Sequence, residues 1–116
     1  ENGDHLGDGT PLSEAVAYFE SISQIKAIGV NCTSPQNILP ALEKIAPNTS
    51  KKMIVYPNAG DEYDPETKRW VSQHGPINWA ELVPVWQTAG ASLIGGCCRT
   101  SPDDIDEIAQ AITNTN

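Results

Sequence analysis

The chain has 116 residues and a formal net charge of −8, with 39% hydrophobic and 19% charged residues. That length bounds it at one small domain with a modest core. The acidic balance argues against nucleic acid and anionic membranes as partners, since both select basic surfaces.

No apolar run approaches the roughly 20 residues of a membrane span. The first residues show no basic-then-apolar leader, so a cytoplasmic location is expected. Residues 1 to 9 lack periodicity and read as a loop. Thr10 is placed to cap a helix with Pro11 just inside it, and Leu12, Ala15, Val16 and Phe19 share one face of that helix. Residues 24–31 are the first expected strand. Ile25, Ala27, Ile28 and Val30 are too continuously apolar for a one-sided sheet, so both faces are expected to be covered. This strand runs into Asn31-Cys32-Thr33. The helix that follows carries Ile38, Leu39, Leu42 and Ile45 on one face, and Pro40 places its regular start near Asn37.

Met53-Ile54-Val55-Tyr56 is the second strand, broken by Pro57-Asn58-Ala59-Gly60. A loop of about 18 residues then reaches Ile77, long enough to suggest a functional or mobile segment. Asn78-Trp79-Ala80-Glu81 has the form of a capping box, Pro84 is expected to split the helix it opens, and Gly90 to end it. The third strand, residues 91–96, ends in Gly95-Gly96-Cys97-Cys98. Ser101-Pro102-Asp103-Asp104 opens the last helix with a cap, a proline at its first position and acids in its first turn. Ile105, Ile108, Ala109 and Ile112 run along that helix.

One helix and three strand–helix repeats imply an α/β fold with a parallel sheet. Right-handed crossovers then put every strand end on one edge, so Cys32, Asn58 and the Cys97-Cys98 pair are expected to converge there. Three strands buried on both faces need neighbours on both sides. The chain is therefore expected to be the C-terminal part of a larger barrel.

Three cysteines are an odd count, and adjacent cysteines rarely bridge each other because the linkage strains the intervening peptide. Thiolates from separate strand ends suit zinc, with an open fourth position for water or substrate. His5 or His74 could close such a site. Inert buried cysteines and a redox pair remain as alternatives, the latter without a C-x-x-C motif. Asn31 is placed to hydrogen-bond a ligand sulfur or a substrate carboxylate. Tyr56 and Asn58 end the middle strand at the same edge, while Gly95 and Gly96 permit close approach to a metal. Arg99 reads as a substrate contact or a cap. Asp61, Glu62 and Asp64 read as a solvated loop, and Trp70, Trp79 and Trp86 as packing residues.

Gly29-Val30-Asn31-Cys32-Thr33, Val55-Tyr56-Pro57-Asn58-Ala59-Gly60 and Ile94-Gly95-Gly96-Cys97-Cys98-Arg99-Thr100-Ser101-Pro102 resemble three C-terminal motifs of the zinc-dependent homocysteine S-methyltransferases. Asp8-Gly9-Thr10-Pro11 resembles the segment after that family's fifth strand. The resemblance implies strands six to eight of a (β/α)₈ barrel, so that residues 1–116 are part of one barrel domain and need the remainder N-terminal to them. It also implies Zn²⁺ held by Cys32, Cys97 and Cys98, with homocysteine and a sulfonium methyl donor as substrates. Asn31, Tyr56 and Asn58 would line the substrate, and no catalytic side chain beyond the metal is implied. Arg99-Thr100-Ser101-Pro102 is more similar to the branch that uses S-methylmethionine or S-adenosylmethionine. Other donors, selenocysteine as acceptor, and a non-catalytic zinc or thiol-sensing domain are the rival readings.

Overall fold

A computed structural model describes residues 4–59, 61–72 and 77–114. Three parallel strands form its centre: β1 (Ala27–Asn31), β2 (Lys52–Tyr56) and, after a two-stranded excursion, β5 (Ala91–Ile94). They lie side by side in the order β1-β2-β5. α1 (Leu12–Glu20) precedes them, α2 (Ile38–Ile45) and α3 (Trp79–Thr88) come between them, and α4 (Pro102–Asn114) follows the last strand. The excursion is an antiparallel pair, β3 (Asp61–Asp64) and β4 (Arg69–Ser72).

The register aligns the strand ends. Asn31 pairs with Tyr56 across β1 and β2, and Val55 pairs with Ile94 across β2 and β5. Gly29 sits where the two backbones nearly touch, since a Cβ built there would lie 1.6 Å from the Ile54 carbonyl oxygen.

Side chains alternate across β2 as a strand dictates. Met53 and Val55 are buried beneath the helices with Ile38, Leu42, Ile45, Trp79, Val83, Trp86 and Ile108. On the opposite face Leu93 is 47% exposed and Tyr56 36%. Both faces were expected to be covered, yet among the described residues the fully buried strand positions belong to the helix-packed core. Trp79 and Trp86 meet edge to face at 6.2 Å, the geometry their ring quadrupoles favour. The indole Nε1–H of Trp79 donates to Asp104 Oδ1 at 2.9 Å, tying α3 to the start of α4.

Several local expectations give way to tertiary context. Thr10 does not cap α1, since Pro11 takes the cap position; the Thr10 N–H donates instead to Asp8 Oδ1 at 2.9 Å. The start of α2 is as expected: a 3₁₀ turn at Pro35–Asn37 leads into it, Asn37 is its cap residue, and Pro40 falls in the first α-helical turn, where a missing N–H is cheap. Pro84 lies inside a continuous α3 rather than splitting it. The bond it forgoes is to exposed Ala80, and Val83 and Trp86 on either side of it are anchored in the core.

Asn78 and Glu81 meet side chain to side chain at 3.3 Å instead of forming the backbone-directed capping box. The last helix keeps its expected cap: Ser101 N–H donates to Asp104 Oδ2 at 2.8 Å and the Asp104 N–H returns to Ser101 Oγ at 3.3 Å. Ile105 is 44% exposed, and Ile108 and Ala111 carry the buried face of α4. The long loop is not structureless. Asp64 Oδ1 accepts the Glu66 N–H at 3.0 Å and Lys68 takes a φ of 56°, closing the turn between β3 and β4.

Candidate metal centre

The strand ladder continues past the strand ends as a set of hydrogen bonds between loops. Cys32 N–H donates to the Tyr56 carbonyl at 3.0 Å, and Gly95 N–H to the Val55 carbonyl at 2.9 Å. Beyond them, Cys97 N–H reaches the Pro57 carbonyl at 2.9 Å and Asn58 N–H the Thr33 carbonyl at 2.8 Å. The middle loop thus fastens both flanking loops, and these are the two that carry the cysteines.

Two non-glycine residues here adopt left-handed backbone. Cys32 has φ 55° and Arg99 has φ 67°. Each conformation costs on the order of 1 kcal/mol and persists because the surroundings hold it. Thr100 closes the turn after the cysteine pair, both its N–H (3.2 Å) and its hydroxyl (2.6 Å) donating to the Cys97 carbonyl. Its side chain fills the space above Gly96, where a Cβ would lie 2.6 Å from Thr100 Oγ1. What approaches Gly96 is therefore this threonine. A Cβ on Gly95 would meet only Tyr56 Cβ, at an ordinary 3.6 Å.

The sulfurs of Cys32, Cys97 and Cys98 all lie within 4.8 Å of one another, and those of Cys32 and Cys98 are 3.5 Å apart. Such a group could hold a metal ion. Without one, its protons are shared unequally. Hydrogen bonding to the Cys98 and Cys97 sulfurs, with burial, pushes the Cys32 thiol up to about 11. The Cys97 thiol is held below its ordinary value, chiefly because Cys32 donates to it, with Asn31 also hydrogen-bonded to its sulfur. Three sulfurs this close resist ionising together, and a cation among them would remove that penalty.

Asn31 and Tyr56 end their strands side by side at this edge, and Asn58 Oδ1 accepts the Cys98 N–H at 3.2 Å. His5 does not join the sulfur cluster; its Nδ1 pairs with Asp4 at 2.6 Å. His74 lies outside the described residues. Arg99 is exposed beside the cysteine pair. Thr100 and Thr33 were not singled out from sequence. Thr33 Oγ1 accepts from Asn37 Nδ2 at 3.0 Å and braces the turn after Cys32. A threonine three residues after a cysteine carries no distinctive signal of this kind. No described helix is long and apolar enough to cross a membrane.

A family model described as homocysteine S-methyltransferase matches residues 1–112. The chain is 45% identical over 109 residues to the homocysteine S-methyltransferase YbgG of Bacillus subtilis, covering 94% of this chain and 35% of that protein. It is 40% identical over 116 residues to a selenocysteine Se-methyltransferase of Brassica oleracea var. italica, covering 98% of this chain and 34% of that one. Among solved structures, the metallated form of the homocysteine methyltransferase MmuM from Escherichia coli superposes with a TM-score of 0.74 at 36% identity, over 95% of this chain and 32% of the other. The chain spans about a third of the length of the proteins it matches.

Proposed function

The chain belongs to the homocysteine S-methyltransferase family, and from that premise we propose that it forms the metal-bearing third of an enzyme that methylates homocysteine to methionine. The observation that carries this reading is the gathering of three thiols, from two strand ends, within 4.8 Å at the C-terminal edge of a parallel sheet. That edge is where β/α barrels build their sites.

In the proposed whole, β1, β2 and β5 are strands six, seven and eight of a (β/α)₈ barrel, and residues 1–116 belong to a single barrel domain. The sequential strand order and the exposure of Leu93 and Tyr56 on the face away from the helices support this arrangement. In a closed barrel those side chains would point into the interior, and β1 and β5 would each gain a neighbour.

The donor set fits zinc. Zn–S bonds of about 2.3 Å in tetrahedral geometry separate sulfurs by about 3.8 Å, close to the 3.5 Å between Cys32 and Cys98. Zn²⁺ held by Cys32, Cys97 and Cys98 would supply the charge that keeps the homocysteine thiol deprotonated near neutral pH. Among the described residues no fourth protein ligand joins the cluster, which favours a site open to a substrate sulfur over a closed structural one.

The chain's own residues have distinct parts. The left-handed turn at Cys32 and the Thr100-closed turn at Cys97 and Cys98 aim three sulfurs at one point. Asn31 steadies the Cys97 sulfur. Asn31, Tyr56 and Asn58 ring the same edge and line the space for substrate. The homocysteine sulfur attacks the donor methyl in line, and a neutral thioether departs as the new S–C bond forms. S-methylmethionine, which yields two methionines, or S-adenosylmethionine is the proposed donor, with a cytoplasmic location.

The test is zinc content and methionine formation in the full-length protein, with homocysteine and each sulfonium donor in turn. Metal-free protein from zinc-replete cells, with no methionine formed from either donor, would sink the proposal. Preferential turnover of selenocysteine would move the acceptor assignment instead.

A further inference from the structure

Asn58 stands between the two cysteine-bearing loops and is bonded to both. Its backbone N–H donates to the carbonyl of Thr33, the residue after Cys32, at 2.8 Å. Its side-chain oxygen accepts the Cys98 N–H at 3.2 Å. The neighbouring Ala59 N–H closes on the Cys98 carbonyl at 3.1 Å. Both backbone polar groups of Cys98 are thus held by the middle loop.

Only the Asn58–Cys98 link among these uses a side chain, so only that link depends on which residue stands at position 58. Asparagine suits the position, being short enough to reach a neighbouring backbone with a side-chain oxygen that accepts. Cys98 is also the residue whose sulfur lies 3.5 Å from that of Cys32. We infer that Asn58 is a positioning residue for the cluster: it fixes the Cys98 backbone from the middle strand and so sets the Cys98 sulfur opposite Cys32. This goes beyond lining the substrate. Its consequence for metal binding rests on the metal-centre reading, while its geometry does not.

The test uses full-length protein carrying Asn58→Leu or Asn58→Asp, both close to asparagine in size. Zinc-loaded protein is challenged with a chelator, and metal-free protein is labelled with a thiol reagent, with Cys98 followed by peptide mass. Asn58→Leu should release zinc about 10- to 100-fold more readily and alter the Cys98 labelling rate, as loss of a partner behind a ligand does. Asn58→Asp still offers an oxygen to the Cys98 N–H, so its zinc release should stay within about threefold of native. Should Asn58→Leu fail to fold, Asn58→Ala makes the same deletion in a smaller volume. Native zinc release and labelling in the folded deletion variant would overturn the inference, as would equal losses in the deletion and aspartate variants. If the native protein takes up no zinc, the metal-centre reading falls and the labelling arm alone decides the role of Asn58.

Discussion

The sulfurs of Cys32 and Cys98 lie 3.5 Å apart although 66 positions separate them in the chain. Nothing local brings them together. Their approach follows from the parallel register of β1 and β2, the hydrogen bonds that extend it past the strand ends, and the left-handed turn at Cys32. A change to either thiol should therefore act on the cluster and leave the sheet beneath it intact.

Cys98→Ala in the full-length protein tests this separation. With one of three sulfurs gone, zinc affinity should drop by more than about 100-fold, beyond the loss seen when only a residue behind a ligand is changed. Turnover should fall with it, while thermal stability of the metal-free protein stays within about 1 kcal/mol of the parent. Zinc measured by atomic absorption at the native stoichiometry would contradict the assignment of Cys98.

The two glycines before the cysteine pair should behave differently. Gly96→Ala drives a Cβ to within 2.9 Å of three Thr100 side-chain atoms, including Thr100 Cβ, which cannot swing away. The threonine must then surrender its bonds to the Cys97 carbonyl, with a cost of about 1–3 kcal/mol and weakened zinc retention. Gly95→Ala meets only Tyr56 Cβ at contact distance and should cost under about 1 kcal/mol. Urea midpoints and zinc content of the two variants, compared side by side, check the contrast.

The convergence of the thiols was legible in the sequence because it needs only strand ends and crossover handedness, and apolar runs mark both. Gly90 and the Ser101–Asp104 cap were legible for a similar reason: each is a short-range signal with a local partner. The failures share a different cause. Pro84 was weighed as a helix breaker, but core anchors on either side of it, Val83 and Trp86, decided that position. The β3–β4 pair has four-residue strands of mixed polarity, too short for a periodic signal. Asn58 reads in sequence as a strand-end residue on the edge that carries the cysteines. Its hold on Cys98, 40 positions away, exists only once the sheet is built.

Trp79 offers a test of how α3 and α4 are joined. Its ring is fully buried against Trp86 and its N–H is bonded to Asp104. Burial opposes ionisation of Asp104, but the Trp79 N–H and the Ser101 N–H and hydroxyl outweigh it and hold the carboxyl below its ordinary value. Trp79→Phe removes one of those donors and part of the ring. Stability should fall by about 2 kcal/mol, from a lost hydrogen bond and a partly filled cavity. The Asp104 carboxyl, followed by NMR, should titrate at higher pH than in the parent, and an unchanged titration would show that the indole N–H does not matter to it.

At the opposite end of the sheet, Glu20 joins the end of α1 to the approach to β2. Its carboxylate accepts the Ser50 N–H and the Ser50 hydroxyl, each at 3.0 Å, and also the Thr49 hydroxyl. These donors, the Ser50 N–H foremost and Lys51 adding its charge, hold the Glu20 carboxyl below its ordinary value of 4.5. A carboxyl depressed in the folded state stabilises the fold above its unfolded pKa and stops doing so as pH falls through its folded pKa. Glu20→Gln removes the charge and little else, which makes it a mimic of the protonated acid. The urea midpoint of the variant should lie below the parent at pH 7. The gap should hold down to about pH 5, narrow as pH drops below about 4.5, and close once Glu20 is protonated in both folded and unfolded chains. A gap of constant size across that range would mean that the charge of Glu20 contributes nothing to the joint.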